Sequence, residues 1–257
     1  MSPARLSPDA APPSADEAVA ERAASGGDEK RGYVQSIFSQ IAPRYDLLNH
    51  LLSFNIDKRW RRRALRRLGW ERAPAGVYLD VCAGTLDVGA TLVRTPGFAG
   101  SVIGADFAEP MLRAGAGKAS PLRLAPVTAD ALQLPLADDS VDGAIVAFGI
   151  RNVADLDAGL REVRRVLKPG ARFVILEFTT PRSRIIRAGY HLYFHRVLPF
   201  VGGVISGHRT AYAYLPKSVA NFPEEAALAR RMTEAGYREV VFDTLTFGIA
   251  AVHAGTK

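Results

Sequence analysis

The chain has 257 residues, of which 48% are hydrophobic and 23% charged, and its net charge is +7. This composition is typical of one globular domain with a small appendage. The one cysteine, Cys82, excludes an intrachain disulfide, and no apolar stretch reaches the roughly 18 residues that cross a bilayer. We expect a cytoplasmic protein, because the N-terminus does not have the pattern of a secretory signal.

The positive charge is concentrated in two segments. Residues 31–72 carry ten Lys or Arg against three acids, and residues 182–217 carry six with no acid. Such segments suit nucleic acid or an anionic membrane surface. A solvated helix face has the same appearance, so charge alone does not decide between these alternatives.

The first 76 residues have no strand pattern. Residues 1–30 are rich in Ala, Pro, Ser, Asp and Glu, with almost no large apolar side chain, which is typical of a disordered tail. Apolar residues at helical spacing then predict a helix from residue 31 to Ile41, an apolar stripe over 47–52 and a helix that ends at Gly69. We therefore expect residues 31–76 to form an N-terminal helical lid.

From residue 77 to the end of the chain, strand and helix patterns alternate, which predicts a parallel sheet with helices on both faces. The last two strands are separated by little more than a turn, so the final strand should run antiparallel. The expected fold class is α/β, with the Rossmann-like seven-stranded sheet of class I methyltransferases. The predicted strands cover 77–82, 101–105, 122–127, 141–148, 172–178, 239–245 and 247–253, and the predicted helices 86–94, 109–117, 155–167 and 224–235.

The segment 182–222 interrupts this alternation. It is aromatic, basic and broken by glycines, and we expect it to follow the fifth strand as a helical insertion that covers the site with the N-terminal helices. His191, His195 and His208 lie in it, but no carboxylate lies near them in sequence. We therefore expect no metal site.

The turn after the first strand, Leu79 to Asp87, is the first candidate for ligand binding. In an open α/β sheet, ligands bind beyond the carboxyl ends of the strands near this point. A dinucleotide site would need three glycines, whereas only Gly84 is present, and Asp80 and Asp87 would repel a pyrophosphate. The acids suit a ligand with an ammonium group, such as the methionine part of S-adenosylmethionine. An ordinary strand–turn–helix joint is the alternative.

Acids also follow the second and third strands. Asp106, 22 residues beyond Gly84, can accept both hydroxyls of a ribose, although a helix N-cap would have the same sequence. Asp130 can accept an adenine amino group, and Ala131 can offer its backbone N–H to a ring nitrogen.

Arg151 and Asn152 end the fourth strand, in the run Ala147 to Val153. They lie where the reactive methyl group of a bound cofactor is expected, a position at which aliphatic packing does not require polar side chains. Methyltransferases that act on the amino groups of bases often have an Asx-Pro-Pro-aromatic turn here. This chain lacks that turn, which argues against adenine or cytosine N-methylation. Pairing of Arg151 with a surface acid is the alternative interpretation.

The sequence resembles the ubiquinone/menaquinone biosynthesis C-methyltransferase family (the UbiE/MenG type) over about residues 32–256. Four runs carry the resemblance. They are Tyr45-Asp46-Leu47-Leu48-Asn49 with Ser53 and Trp60, Phe148-Gly149-Ile150-Arg151-Asn152-Val153, Arg165-Val166-Leu167-Lys168-Pro169-Gly170 leading to Glu177-Phe178, and Tyr212-Ala213-Tyr214-Leu215 before Ser218.

The sequence also departs from the family at a few positions. Leu48 and Asp57 stand where Met and His are usual, Leu86 where Gly is usual, and Ala147 where Ser or Thr is frequent. A side chain at position 86 would lie close to the methionine part of the cofactor, and a contact at position 147 can come only from the backbone.

The resemblance implies S-adenosylmethionine as the cofactor in a domain over residues 77–257. Its contacts are expected at Thr85, Asp106, Asp130 and Ala131, and at the backbone of Ala147. The resemblance further implies that Arg151, Asn152 and Tyr45 form a polar network at the hydroxyl group of the substrate. Because a guanidinium stays protonated, Arg151 is better suited to stabilise a phenolate than to act as a base.

The implied reaction is C-methylation of a polyprenylated quinol, either demethylmenaquinol or the corresponding benzoquinol. The resemblance implies a peripheral protein at the inner face of an anionic membrane, with no nucleic acid partner, and it leaves a homodimer open. Tyr190, Leu192, Tyr193, Phe194, Val197, Leu198 and Phe200 are the expected contacts of the prenyl tail, and Arg184, Arg187, Arg196 and Arg209 those of the headgroups.

Three other functions remain open from sequence. The first is O- or N-methylation of another small molecule. The second is a catalytically degenerate scaffold that binds quinone, for which Leu86 and Ala147 are the support. The third is an RNA methyltransferase, suggested by the arginines of residues 59–67, although the chain has no appended RNA-binding module.

Overall fold

The computed structural model of the protein describes residues 28–42, 45–46, 53, 55–193 and 209–257. Within these residues, every helix is too short or too polar to pass through a bilayer. Most of the predicted tail, the apolar stripe over 47–52, and His195 and His208 lie outside the described residues. So do Phe194, Arg196, Val197, Leu198 and Phe200.

A seven-stranded sheet forms the centre of the protein, in the order β3-β2-β1-β4-β5-β7-β6. The first five strands are parallel, and β7 is antiparallel to both β5 and β6, which confirms the predicted architecture. The strand order reverses between β1 and β4, and ligands of such sheets bind beyond this point. The strands are β1 (Val77–Val81), β2 (Ser101–Asp106), β3 (Leu124–Thr128), β4 (Val141–Ala147), β5 (Leu167–Phe178), β6 (Arg238–Leu245) and β7 (Ala250–Thr256).

Helices cover both faces of this sheet. Buried side chains of α2 and α3 belong to the hydrophobic core on one face, and those of α5 and α8 to the core on the other. Because the central strands are buried on both faces, they are almost continuous apolar runs. The helices are α1 (Asp28–Ile41), α2 (Ile56–Leu68), α3 (Asp87–Val93), α4 (Glu109–Ala114), α5 (Leu156–Val166), α6 (Arg184–Leu192), α7 (Arg209–Ala220) and α8 (Glu225–Glu234).

Helix α2 has the amphipathic character that the sequence predicts. Trp60, Ala64, Leu65 and Leu68 are buried against the sheet, and the helix ends at Gly69 with φ of 72°. A side chain in that left-handed conformation would be strained, which explains why glycine stands there.

Several element boundaries differ from the prediction by a few residues. Helix α1 begins at Asp28, inside the predicted tail. Strand β5 begins at Leu167, because that residue pairs with Val141, and Lys168-Pro169-Gly170 therefore lies inside the strand. The last strand begins at Ala250, because residues Thr246–Gly248 form a 3₁₀ turn.

The N-terminal helix packs on the insertion. Val34, Ile37 and Ile41 of α1 form a small apolar core with Tyr190 of α6 and Tyr214 of α7. The two basic segments thus meet at the carboxyl end of the sheet.

Candidate active site

A cavity lies at the carboxyl ends of the central strands. In open α/β sheets, this is the position at which ligands bind. The lining residues come from the ends of β2, β3 and β4 and from the N-terminal segment. They are Arg31, Phe38, Tyr45, Cys82, Asp106, Phe107, Met111, Asp130, Ala131, Ala147, Phe148, Gly149, Asn152, Val153 and Ala154.

The turn between β1 and α3 holds Leu86 in an unusual conformation. Gly84 and Leu86 both have positive φ, of 53° and 64°. The Leu86 side chain is 2% exposed and packs in the space that Gly104 leaves by lacking a Cβ atom. Leu86 is not part of the cavity lining, so its side chain does not occupy the space expected for the methionine part of a cofactor.

Asp80 lies behind this turn and not at the cavity. Its carboxylate is 1% exposed and accepts the N–H of Gly89 in α3 at 2.9 Å. Burial raises the pKa of Asp80 to about 7. The predicted cofactor residue Asp80 is therefore separated from Asp106 and Asp130, which do line the cavity.

Thr85 and Asp87 belong to a network of charges beside the turn. The Thr85 hydroxyl donates to Asp46, and Lys118 pairs with both Asp46 and Asp87 at 2.5 Å. Arg61 of α2 also pairs with Asp87 at 2.5 Å, and these cations hold the pKa of Asp87 below its usual value. The network connects the N-terminal segment to the turn, so Asp87 is engaged by cations of this chain.

Asp106 and Asp130 line the cavity side by side, at the ends of β2 and β3. Asp106 accepts the N–H groups of Gly84 and Ala108, both at 2.8 Å, and burial raises its pKa. Asp130 accepts the N–H of Leu132 at 2.9 Å. Both carboxylates are thus oriented by backbone donors, and Ala131 and Ala147 lie beside them in the cavity lining.

Arg151 is buried at the end of β4 without lining the cavity. Its guanidinium donates to Glu177 at 2.7 Å and to the Phe148 carbonyl at 2.5 Å. It also donates to the Ser218 hydroxyl of α7 at 3.3 Å. The acid that pairs with Arg151 is therefore a buried residue of β5 and not a surface acid.

Asn152 and Tyr45 both line the cavity, as the resemblance implies for a polar network there. Asn152 is 8% exposed, and its Oδ1 atom has no hydrogen-bond donor among the described residues. A buried acceptor without a partner costs about 1–3 kcal/mol. A ligand with a hydroxyl or N–H group would satisfy this atom.

The structure adds three residues that sequence reasoning missed. Glu177 is the buried partner of Arg151, and a lone acid at the end of an apolar strand was the signal for it. Arg31 pairs with Asp130 at 2.9 Å across the cavity, and Lys30 donates to the Val153 carbonyl at 3.0 Å. The sequence pattern gives no reason to assign Lys30 and Arg31 to the site, because they lie at the boundary of the predicted tail.

Comparisons with known proteins identify relatives of this chain. The sequence model of the ubiE/COQ5 methyltransferase family matches residues 25–257. The chain is 50% identical to the demethylmenaquinone methyltransferase of Thermus thermophilus, over 86% of this chain and 100% of that protein. It is 45% identical to the ubiquinone/menaquinone biosynthesis C-methyltransferase UbiE of Geobacter sulfurreducens, over 89% and 90% of the two chains.

Solved structures share the fold at low sequence identity. A SAM-dependent methyltransferase from Aquifex aeolicus has a TM-score of 0.54 and 18% identity, over 76% of this chain and 88% of that chain. The phosphoethanolamine N-methyltransferase 2 of Haemonchus contortus, in complex with S-adenosyl-L-methionine, has a TM-score of 0.56 and 14% identity, over 77% and 52%.

Proposed function

The chain belongs to the ubiE/COQ5 methyltransferase family, and from this premise we propose that it methylates a ring carbon of a polyprenylated quinol with S-adenosylmethionine. It is an enzyme of the demethylmenaquinone methyltransferase type, as its relatives are. The proposed substrate site rests mainly on the buried Oδ1 atom of Asn152, which has no hydrogen-bond donor among the described residues. Asn152 lines the same cavity as Asp106 and Asp130.

The cavity suits S-adenosylmethionine chemically. The Asp106 carboxylate, oriented by two backbone N–H groups, would accept the ribose hydroxyls, and Asp130 and Ala131 would receive the adenine edge. Thr85, Gly84 and the Ala147 backbone are the proposed contacts toward the methionine part. When bound, the cofactor supplies an electrophilic methyl group.

Asn152, Tyr45 and Arg151 are the proposed catalytic group. The Oδ1 atom of Asn152 would accept a hydrogen bond from the quinol hydroxyl, whose proton would pass to water, and Tyr45 would help to orient the ring. From behind the cavity lining, the Arg151 guanidinium would stabilise the negative charge that develops on the quinol oxygen, which makes the ring carbon nucleophilic. Placing that carbon in line is worth up to roughly 7–11 kcal/mol.

The scaffold alternative loses one of its two supports, because Leu86 does not enter the cavity. We propose that the enzyme is cytoplasmic and peripheral at the inner face of the membrane. In this proposal α1, α6 and α7 form a lid over the bound quinol. The aromatic residues Tyr190 and Tyr193 are the proposed contacts of the prenyl tail among the described residues.

The test uses the purified protein with isotopically labelled S-adenosylmethionine. Reduced demethylmenaquinol and a demethylated benzoquinol are supplied separately, and products are identified by mass spectrometry. We expect label on a ring carbon with the reduced substrate and none with the oxidised quinone. Label on oxygen would support O-methylation, and the absence of cofactor binding would support the scaffold.

A further inference from the structure

Four arginines on one face of α2 are exposed and largely unpaired. They are Arg59, Arg62, Arg63 and Arg66, which lie within two helical turns. Among the described residues, only Arg63 approaches a carboxylate, that of Asp243 at 3.8 Å, and Arg67 already pairs with the same oxygen. Like charges at this spacing destabilise a helix, so an external anion would relieve the repulsion.

These arginines border a groove whose other wall is largely apolar. Ile56 and Trp60 of α2 line it together with Leu245 and Phe247, and the latter is 79% exposed. A groove with basic and apolar walls fits an amphiphile whose headgroup is anionic.

The turn that carries Phe247 is strained. Thr246, Phe247 and Gly248 all have positive φ, of 46°, 58° and 88°. Such residues cost about 1–3 kcal/mol each when they are not glycine, and they occur at functional sites. Trp60 donates its indole N–H to the Thr246 hydroxyl at 2.8 Å and so fixes the turn on α2. The strain keeps a large aromatic side chain in solvent.

We propose that this groove binds the phosphate headgroup of an anionic phospholipid, with Phe247 inserted among the acyl chains. The apolar wall favours lipid over nucleic acid, because Ile56 and Leu245 offer an aliphatic surface to acyl chains and only the Phe247 ring of the described lining is exposed enough for a base to stack on it. Another exposed apolar side chain lies near the turn. Gly248 lies against Pro181, and Ile185 of α6, four residues after Pro181 in sequence, is 86% exposed. Basic and apolar side chains together are what an interfacial surface presents to a bilayer.

The groove adjoins the catalytic cavity. The ring of Trp60 lies 6.0 Å from that of Phe148, which lines the cavity. A bilayer bound at the groove would thus lie one layer of packed side chains away from the cavity that would hold a lipid-soluble substrate. This step rests on the proposed quinol methylation.

Vesicle flotation tests the proposal. Phosphatidylcholine vesicles, with or without phosphatidylglycerol, are mixed with three proteins. These are the wild-type protein, the groove variant Arg59→Ala/Arg66→Ala and the control variant Arg161→Ala/Arg230→Ala. The control removes the same charge from exposed positions on α5 and α8, on the other face of the sheet. We expect the groove variant to lose about 30-fold in affinity for phosphatidylglycerol vesicles and the control to lose much less. Phe247→Ser should weaken binding at high salt as well.

Equal losses in the groove and control variants would overturn the proposal, as would equal binding to neutral vesicles. RNA that binds the groove more tightly than the vesicles do would overturn it in favour of nucleic acid. Methylation of a water-soluble, short-chain quinol is measured in the same variants and should be unchanged. If wild-type protein does not methylate that quinol, the proposed function fails, whereas the vesicle result still decides the groove. A thermal melt of each variant confirms that it is folded.

Discussion

The carboxyl group of Asp80 is buried, and its pKa of about 7 makes the stability of the protein depend on pH. Below about pH 4 the carboxyl is neutral in both the folded and unfolded states. Between about pH 4 and pH 7 the folded state binds a proton that the unfolded state has lost, so this group lowers the free energy of unfolding as pH rises.

Asp80→Asn should therefore gain stability over wild type as pH rises. Asparagine keeps an acceptor for the Gly89 N–H but cannot ionise. The difference in free energy of unfolding should shift toward the variant by about 2–3 kcal/mol between pH 5 and pH 8. Urea denaturation at each pH measures it, with Asp138→Asn at an exposed site as the control. A difference that stays constant with pH would show that Asp80 is not the group responsible.

Arg151 and Glu177 should behave as one buried unit. Removing either partner leaves a buried charge, which costs about 3–5 kcal/mol. Arg151→Met and Glu177→Gln should each destabilise the protein strongly, whereas the double variant should cost much less than the sum of the two. A double-mutant cycle by urea denaturation measures this coupling, and additive losses would contradict it.

The same guanidinium has a proposed role in turnover. Arg151→Ala should reduce kcat far more than the affinity for S-adenosylmethionine, because Arg151 does not line the cavity. Isothermal titration and steady-state kinetics on the variant separate the two quantities. Equal loss of both would indicate that Arg151 only supports the fold of the site.

At the scale of elements, α1 is held by apolar packing on α6 and α7 and makes weaker polar contacts at the cavity. Arg31 pairs with Asp130 while its side chain is 58% exposed, and Gln35 donates to the Phe107 carbonyl at 3.3 Å. Exposed pairs of this kind contribute about 0–1 kcal/mol. The Arg31–Asp130 pair therefore adds little to the stability that the apolar packing gives the helix.

Arg31→Ala should loosen α1 without affecting the strands. We expect the KM for S-adenosylmethionine to rise by up to about fivefold, with a smaller change in kcat. Arg113→Ala, which removes another exposed ion pair outside the cavity, is the control. An unchanged KM in Arg31→Ala would mean that α1 does not control access of the cofactor.

The elements that could be predicted from sequence are those with local causes. The buried strands are almost continuous apolar runs, and some turns carry glycine where φ is positive, as at Gly84. The predicted helix over 155–167 includes Leu167, although pairing of Leu167 with Val141 draws that residue and Lys168-Pro169-Gly170 into β5. Such pairing joins residues distant in the chain and leaves no local pattern.

The site was predictable to a similar extent. Asp106 and Asp130 follow strands whose carboxyl ends meet, so their approach to one cavity follows from the fold. The partners of Arg151 and Asp130, by contrast, come from other parts of the chain: Glu177 from β5 and Arg31 from α1. The Leu86 side chain packs in the space over Gly104, and the sequence around residue 86 does not indicate that this space exists.

At the scale of the whole molecule, described parts of the two basic segments lie close together. α1 from the first segment packs on α6 and α7 from the second, and the groove arginines of α2 border the turn beside Pro181. The opposite face, with α5 and α8, carries acids that pair with its own arginines, such as Asp157 with Arg231. In the proposed binding to phospholipid, an anionic surface would therefore meet the face with α2 and not the face with α5 and α8.

Binding of S-adenosylmethionine should stabilise the whole molecule, because the cavity is formed only in the folded state. At a cofactor concentration of 100 times Kd the stabilisation is about 2.7 kcal/mol. For a chain of this size that corresponds to a rise in Tm of about 5–10 °C. Asp106→Ala and Asp130→Ala should lose most of the rise, since both carboxylates line the cavity, whereas the exposed Asp138→Ala should keep it. Differential scanning fluorimetry measures each shift, and free methionine at the same concentration should produce none. A full shift in Asp106→Ala would place the ribose elsewhere and remove the basis for the proposed orientation of the cofactor.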